Sequence, residues 1–382
     1  MCKDPRDRVY ALRSLVSSEL RSEIKPDYEK TSEEVFKGAI FSCMKIEQGL
    51  ELLTFCEMPF PANWRSSWVP NLGNPRLTTS ISFGHASGYS SPEVKYRGGD
   101  KLLVQGVHTT SVAEVICVFT REATYTDIIP PLQALARQLF SRIATEREKV
   151  ETATSFIALL QCMHCAFEDI DAVRSTTPED FREDLLIFIN ADLATSSLEA
   201  LSKLRLLGYA LRNCPGRAIF KTTEGFLGLG PAALQMDDHI CVLLGCNTPL
   251  ILRPVVEHPD SYKVVGETFV CEFMDKQAFL GPIPSLVSSW VSIYRGEQMI
   301  IYLQDGIATE EDPRLGPLPR GWNIYVQDSA RASTTNLIPP GFETLPTLRR
   351  RIRRPKKNPF DPRITSEGLR ARGVNIKALT LV

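Results

Sequence analysis

The sequence has no apolar run longer than five residues, Val115–Phe119 and Ile240–Leu244 being among the longest. Crossing a bilayer takes about 20 consecutive apolar residues, so no membrane-spanning helix and no membrane partner are expected. There is no Asn-x-Ser/Thr acceptor, and Met1-Cys2-Lys3-Asp4-Pro5-Arg6-Asp7 places charges where a signal peptide needs its apolar segment. Ten cysteines at wide, irregular spacings then read as reduced and mostly buried thiols of a cytoplasmic protein. Histidine is scarce: His85, His108, His164, His239 and His258 are the whole set. None falls in a zincin motif or beside a Gly-x-Ser-x-Gly signature, so no general base, metal or cofactor is nominated and an enzyme is not expected.

What is present is ordinary globular composition: 382 residues, 43% hydrophobic and 23% charged, enough for one large or two ordinary domains. The net charge of −1 hides a split, because the stretch from Arg349 onward carries eleven Lys/Arg against two Asp/Glu and leaves −10 on residues 1–348. An acidic body argues against a nucleic-acid-binding core.

Along the chain, Asp4-Pro5-Arg6-Asp7 starts a short helix whose buried face is Val9, Leu12, Leu15 and Val16. Thr31-Ser32-Glu33-Glu34 is a capping box ahead of an amphipathic helix through Met44. Leu50–Phe55 reads as a strand, Trp64 and Trp68 mark an ordered loop, and Lys101–Phe119 has strand composition. Helical spacing follows in four stretches, the last running through Leu198, Leu201, Leu204, Leu207 and Leu211. Short apolar runs from Ala218 to Val270, divided by turns at Glu224-Gly225 and Asp237-Asp238, read as a small β-barrel, and Trp290–Leu303 as a hairpin. The expected division is 1–125 (α/β with the tryptophan loop), 126–213 (helical), 214–305 (barrel-like) and 306–382 (irregular, with a disordered basic tail from 349). The fold class is α+β: an α-rich N-terminal and middle region packed on a small C-terminal antiparallel β-barrel.

Three motifs invite chemistry. Gly228-x-Gly230-x-x-Ala233 has the loosest form of a dinucleotide fingerprint, but Pro231 opens a turn and no helical pattern follows. Cys162-Met163-His164-Cys165 has the spacing of half a zinc site, with no second pair to face it. Arg349, Arg350, Arg351, Arg353, Arg354, Lys356 and Lys357 form a basic run that an import receptor could read; a solvated tail fits it equally.

The order and spacing of Asp4-Pro5-Arg6-Asp7, Tyr10, Pro26-Asp27-Tyr28 and Trp68-Val69-Pro70 resemble fungal heterokaryon incompatibility (HET) proteins. A second block resembles the region C-terminal to the HET domain: Gly216-Arg217, Gly225, Gly228, Gly230-Pro231, Asp238, Gly245, Arg253 and Gly266-Glu267. Asp237 stands where that family usually has Gly, and Val270–Asp275 departs from its usual pattern. The resemblance implies that the N-terminal HET domain, itself similar to Toll/interleukin-receptor signalling domains, is missing. It implies a regulatory or recognition part that acts by contact with a protein partner in fungal non-self recognition and regulated cell death. The alternatives are an NAD-cleaving enzyme whose catalytic part lies in the missing segment, and a nuclear protein acting through its basic tail.

Overall fold

The structure, a computed structural model, describes residues 3–73, 78, 80–81, 84–88, 90–141, 145–161, 178–193, 197–258, 260–294, 297–305, 307–309, 311–317, 325–326, 350–351 and 361–382. Helix α1 (Asp7–Tyr10) runs into a 3-10 turn at Ala11–Ser14, followed by α2 (Ser18–Glu23) and α3 (Ser32–Glu47). The capping box predicted for α3 is formed by Thr31 and Glu34, each satisfying the other's backbone N–H. Val9 is buried, but Leu12 and Leu15 are 52% and 80% exposed, against expectation. The α1 turn packs on α3, and the two leucines lie beyond it. Leu50–Phe55 is not a strand either: Glu51–Phe55 is a 3-10 turn. Leu50 and Leu53 are both buried, because a period of three puts them on one side.

Strand β1 (Lys95–Tyr96) leads to β2 (Leu102–Val118), the longest strand described, and then to α4 (Tyr125–Ser141), α5 (Glu146–Gln161) and α6 (Pro178–Asn190). The predicted fourth helix is two, α7 (Leu198–Leu201) and α8 (Arg205–Asn213), because Leu204 takes an extended backbone between them. Their apolar faces share one core with Ile219, Leu229 and Phe269 of the strands that follow.

Those strands are β3 (Arg217–Thr222), β4 (Leu227–Pro231), β5 (His239–Leu243), β6 (Leu250–Pro254), β7 (Ser261–Glu267) and β8 (Phe269–Val270). After α9 (Gln277–Leu280) come β9 (Val287–Tyr294), β10 (Glu297–Gln304) and β11 (Ile307–Thr309). These last three form a sheet of their own, so the predicted hairpin is present but stands outside the main sheet. A small pair, β12 (Tyr325–Val326) and β13 (Arg350–Arg351), precedes α10 (Ser366–Ala371) and β14 (Lys377–Leu381).

The main sheet holds the rest, and its pairing returns on itself. Strands β2, β5, β6 and β7 are joined antiparallel in that order, β7 pairs with β14 in parallel, and β14 pairs antiparallel with β2. The C-terminal half of β2 continues instead into β3, β4 and β8. Two of the five strands in this ring, β2 and β14, therefore come from outside residues 214–305. Strand β5 shows why its apolar run is unbroken. Cys241 and Leu243 face one core while Val242 and Leu244 face another, so neither side of the strand meets water.

The expectation of a disordered tail from 349 is corrected for residues 361–382. Asp361 caps a 3-10 turn at Pro362–Ile364, Leu369 is buried, and β14 enters the sheet. Part of the positive charge counted there is neutralised: Arg363 is buried in ion pairs with Asp361 and Glu311.

Candidate functional site

The residues of the first sequence block assemble at the N-terminus. Asp4 accepts from the Arg6 guanidinium, which also donates to the carbonyls of Tyr28 and Lys30 and lies over the Tyr28 ring at 5.2 Å. The Tyr28 hydroxyl donates to Asp7, and the Tyr10 hydroxyl donates to the Asp27 carbonyl. Pro5 lies against Gly73, whereas Pro26 is exposed in the connection. Trp68, Val69 and Pro70 are buried, with the Trp68 indole N–H donating to the Asp100 carbonyl at 2.7 Å. The block is thus a clasp between the first helix and the two loops that follow it.

The second block assembles around two ion pairs. Arg217 starts β3 and Glu267 ends β7, and an Nη2 to Oε1 bond of 2.8 Å joins them at 1% and 2% side-chain exposure. Arg217 also donates to the Thr78 hydroxyl, and Glu267 accepts from the Ile81 backbone N–H at 2.7 Å. The pair therefore ties the loop before β1 to the sheet. Nearby, Arg253 of β6 grips the buried Asp238 with two 2.8 Å bonds and donates to the Ala233 carbonyl. Asp238 also accepts from the Gln235 N–H, which closes the turn into β5.

The glycines follow from packing. Gly225 takes φ +91° in the turn before β4, as predicted. Gly228 and Gly230 belong to β4 itself rather than to turns: a Cβ on Gly228 would stand 2.2 Å from the Phe220 ring. Pro231 packs on Gly266, while Gly216 and Gly245 take φ of +78° and +79° in turns. Asp237 is left-handed at φ +66°, which accounts for glycine at this position in the resembled family and for the tolerance of aspartate. After Pro231 the chain turns toward β5 without a helix, so no dinucleotide cradle forms.

Two groupings escaped sequence reasoning. Asp275, Lys276, Tyr302, Asp312 and Arg314 form one buried network in which Lys276 and Arg314 each touch both carboxylates, and Tyr302 hydrogen-bonds Lys276 and both aspartates. Burial works to raise the Asp312 carboxyl, but hydrogen bonds from Arg314 and the charge of Lys276 prevail and hold it at about 2. Burial and the two carboxylates push the Tyr302 phenol far above its ordinary range. His85, half-buried beside this network, is held at about 3 by desolvation and by Lys276. Two positive and two negative charges balance here, so the network serves as a joint between α9, β10 and the Arg314 loop.

The second grouping is the stacked pair of His108 on β2 and His239 on β5, with ring centroids 3.9 Å apart and planes 18° from parallel. Neither grouping has a recognisable motif: the network joins two short local couples, Asp275-Lys276 and Asp312 with Arg314, through Tyr302, and the histidines meet through strand register. Among the described residues no group of three or more His, Cys, Asp or Glu could hold a metal ion, and no helix is long and apolar enough to cross a membrane. The Cys162–Cys165 motif, and Arg349, Arg353, Arg354, Lys356 and Lys357 of the basic run, lie outside the described residues.

With this geometry in view, comparison with known proteins is informative. Residues 149–280 match the profile of the Het-6 beta-barrel domain. That segment spans α5 to α9 and β3 to β8 but not β2 or β14, two strands of the ring. The chain is also similar to heterokaryon incompatibility protein 6, OR allele, of Neurospora crassa, at 36% identity over 66 residues. That stretch is 17% of this chain and 10% of the relative. No solved structure matches. The resemblance to heterokaryon incompatibility proteins read from the sequence thus holds.

Proposed function

We propose that this relative of the heterokaryon incompatibility proteins acts by protein contact, as a regulatory or recognition part in fungal non-self recognition and regulated cell death. The ring of strands with its β3–β4–β8 extension is, on this reading, the barrel of the Het-6 domain, completed by β2 and β14. The observation that carries the proposal is where the shared charged residues point. Arg217, Glu267, Asp238 and Arg253 are spent on buried or half-buried pairs that hold the scaffold, which leaves partner selection to the surface. Chemistry of the NAD-cleaving kind has no support in these pairs, because each carboxylate is engaged by a guanidinium. Action in the cytoplasm goes with this reading, and a fluorescent fusion of the full chain that concentrates in nuclei would argue for the basic run instead.

The test is expression of the full chain in a compatible fungal background, scoring growth arrest and death after hyphal fusion. The expected result is an altered incompatibility response, with no NAD turnover by the purified chain. An unchanged response, or turnover above background, would overturn the proposal.

A further inference from the structure

Strand alternation within the ring sends Val104 of β2, Leu243 of β5, Val264 of β7 and Leu379 of β14 into one core. One end of that core is covered by the tryptophan loop: the Ser67 N–H donates to the Val382 carbonyl, and the Ser67 hydroxyl accepts from the Val264 N–H. Carried the other way, the same alternation brings His108, His239, Tyr262 and Lys377 to the opposite end. This is the end where β14 begins and where β2 passes from β14 to β5, Gly106 pairing with both Lys377 and Leu243.

The two imidazoles are stacked face to face, so their nitrogen lone pairs lie in parallel planes and do not converge on a common ion. His108 Nε2 bonds the Ser111 hydroxyl at 3.1 Å. His239 Nδ1 is buried and has no hydrogen-bond partner among the described residues. The Tyr262 ring lies 5.7 Å from His239, and the β2–β5 register is already shifted between His108 and Thr110. The charged groups facing the pair come from several elements. Lys377 of β14 supplies a cation that acts on both rings, while Asp237, Asp238 and Glu224 supply carboxylates from the adjoining turns. Asp238 is already held by Arg253 of β6, and Glu224 by Thr110 and Thr223. Below the pair the Cys241 thiol of β5 is neutral, pushed up to about 12 by burial.

We propose that the His108–His239 stack is an acid-sensitive clasp for β14. With both rings neutral the strand stays seated between β2 and β7. A proton on either ring sets a second cation beside Lys377, and on His239 it also requires a buried, unpartnered N–H⁺ or a broken stack, so β14 lifts. Burial lowers both imidazoles from the ordinary value, and His108 adds to the effect on His239. The sign follows: the open form takes up the proton first, seating is complete above the ordinary histidine value, and it weakens as pH falls through and below that value. For one proton and an open-state value near 6.5, opening should rise between pH 7.5 and 5.5, with about tenfold as the ceiling.

Amide hydrogen exchange on the full chain, corrected for its intrinsic pH dependence, tests this. Opening of residues 377–381 should rise severalfold at pH 5.5, within that ceiling, with β6 unchanged. His239→Gln, and separately Lys377→Gln at the exposed first position of β14, should each shrink that rise. No acid-dependent opening in the native chain, or a rise undiminished in both variants, overturns the clasp. Should His239→Gln fail to fold, the Lys377→Gln comparison decides alone.

Discussion

The buried Arg217–Glu267 pair offers the sharpest test of how the second sequence block works. Arg217→Met leaves the Glu267 carboxylate 2% exposed and without its guanidinium, while the Ile81 N–H of the sheet-facing loop still donates to it. Glu267→Gln leaves the guanidinium equally buried, with a neutral amide oxygen and Thr78 in place of a carboxylate. Breaking a buried ion pair by removing one partner costs about 3–5 kcal/mol, so each single change should lower stability by roughly that amount. In the Arg217→Met/Glu267→Gln double variant neither charge of the pair remains, and the side-chain amide oxygen introduced by Glu267→Gln can still accept from the Ile81 N–H. Its cost should fall to about 1–2 kcal/mol, a hydrogen bond's worth rather than an ion's. The difference between the double and the summed singles is then a coupling of several kcal/mol, about 6.5 at the centre of these ranges. Urea unfolding followed by tryptophan fluorescence suits the measurement, because Trp68 is fully buried in the loop region that the pair anchors. Single-variant losses below about 1 kcal/mol, or a double variant as unstable as the sum, would refute the assignment of the pair as the anchor.

Gly228→Ala should cost about 1–3 kcal/mol by overpacking against Phe220, and Phe220→Leu in that background should recover part of it; thermal denaturation with no loss from the first change would refute the close packing. Removing residues 377–382 takes away both pairings of β14, so a cooperative transition is expected to be lost, and a truncated chain with unchanged stability would show that the ring does not need its fifth strand. Asp312 is held at about 2 in the fold. Its contribution is therefore present above the ordinary carboxylate value and lost as pH falls through about 4 toward 2, amounting to about 2 kcal/mol. Asp312→Asn should flatten the acid limb of the stability curve, and equal acid limbs would count against that network. Asp237→Gly should lie within about 1 kcal/mol of the native chain, since relief at φ +66° offsets added unfolded-state entropy; a larger loss in the same urea assay would show that the aspartate side chain itself matters.

How far these features could be read in advance depended on the sequence distance over which each is made. The capping box of Thr31 and Glu34 closes within one turn, and the run Ile240–Leu244 announces a strand buried on both faces, so both were legible. The Leu50–Phe55 stretch carried an equally apolar pattern, but a 3-10 turn buries Leu50 and Leu53 as well as a strand would, and composition cannot separate the two. Strand β14 was hidden for a different reason. Its short sequence Lys377-Ala378-Leu379-Thr380-Leu381 follows a long basic stretch, and its stability comes from neighbours at the far side of the chain, β2 and β7. The ring itself is therefore a non-local property, as are Asp275 with Arg314 and His108 with His239. The family blocks were legible by resemblance, yet their physical meaning was not: Arg217 and Glu267 are ordinary residues until register places one guanidinium against one carboxylate away from water. The same register that makes the pair anchors the loop before β1. Arg217 and Glu267 are therefore best understood as what the sheet requires to keep its flanking loop in place.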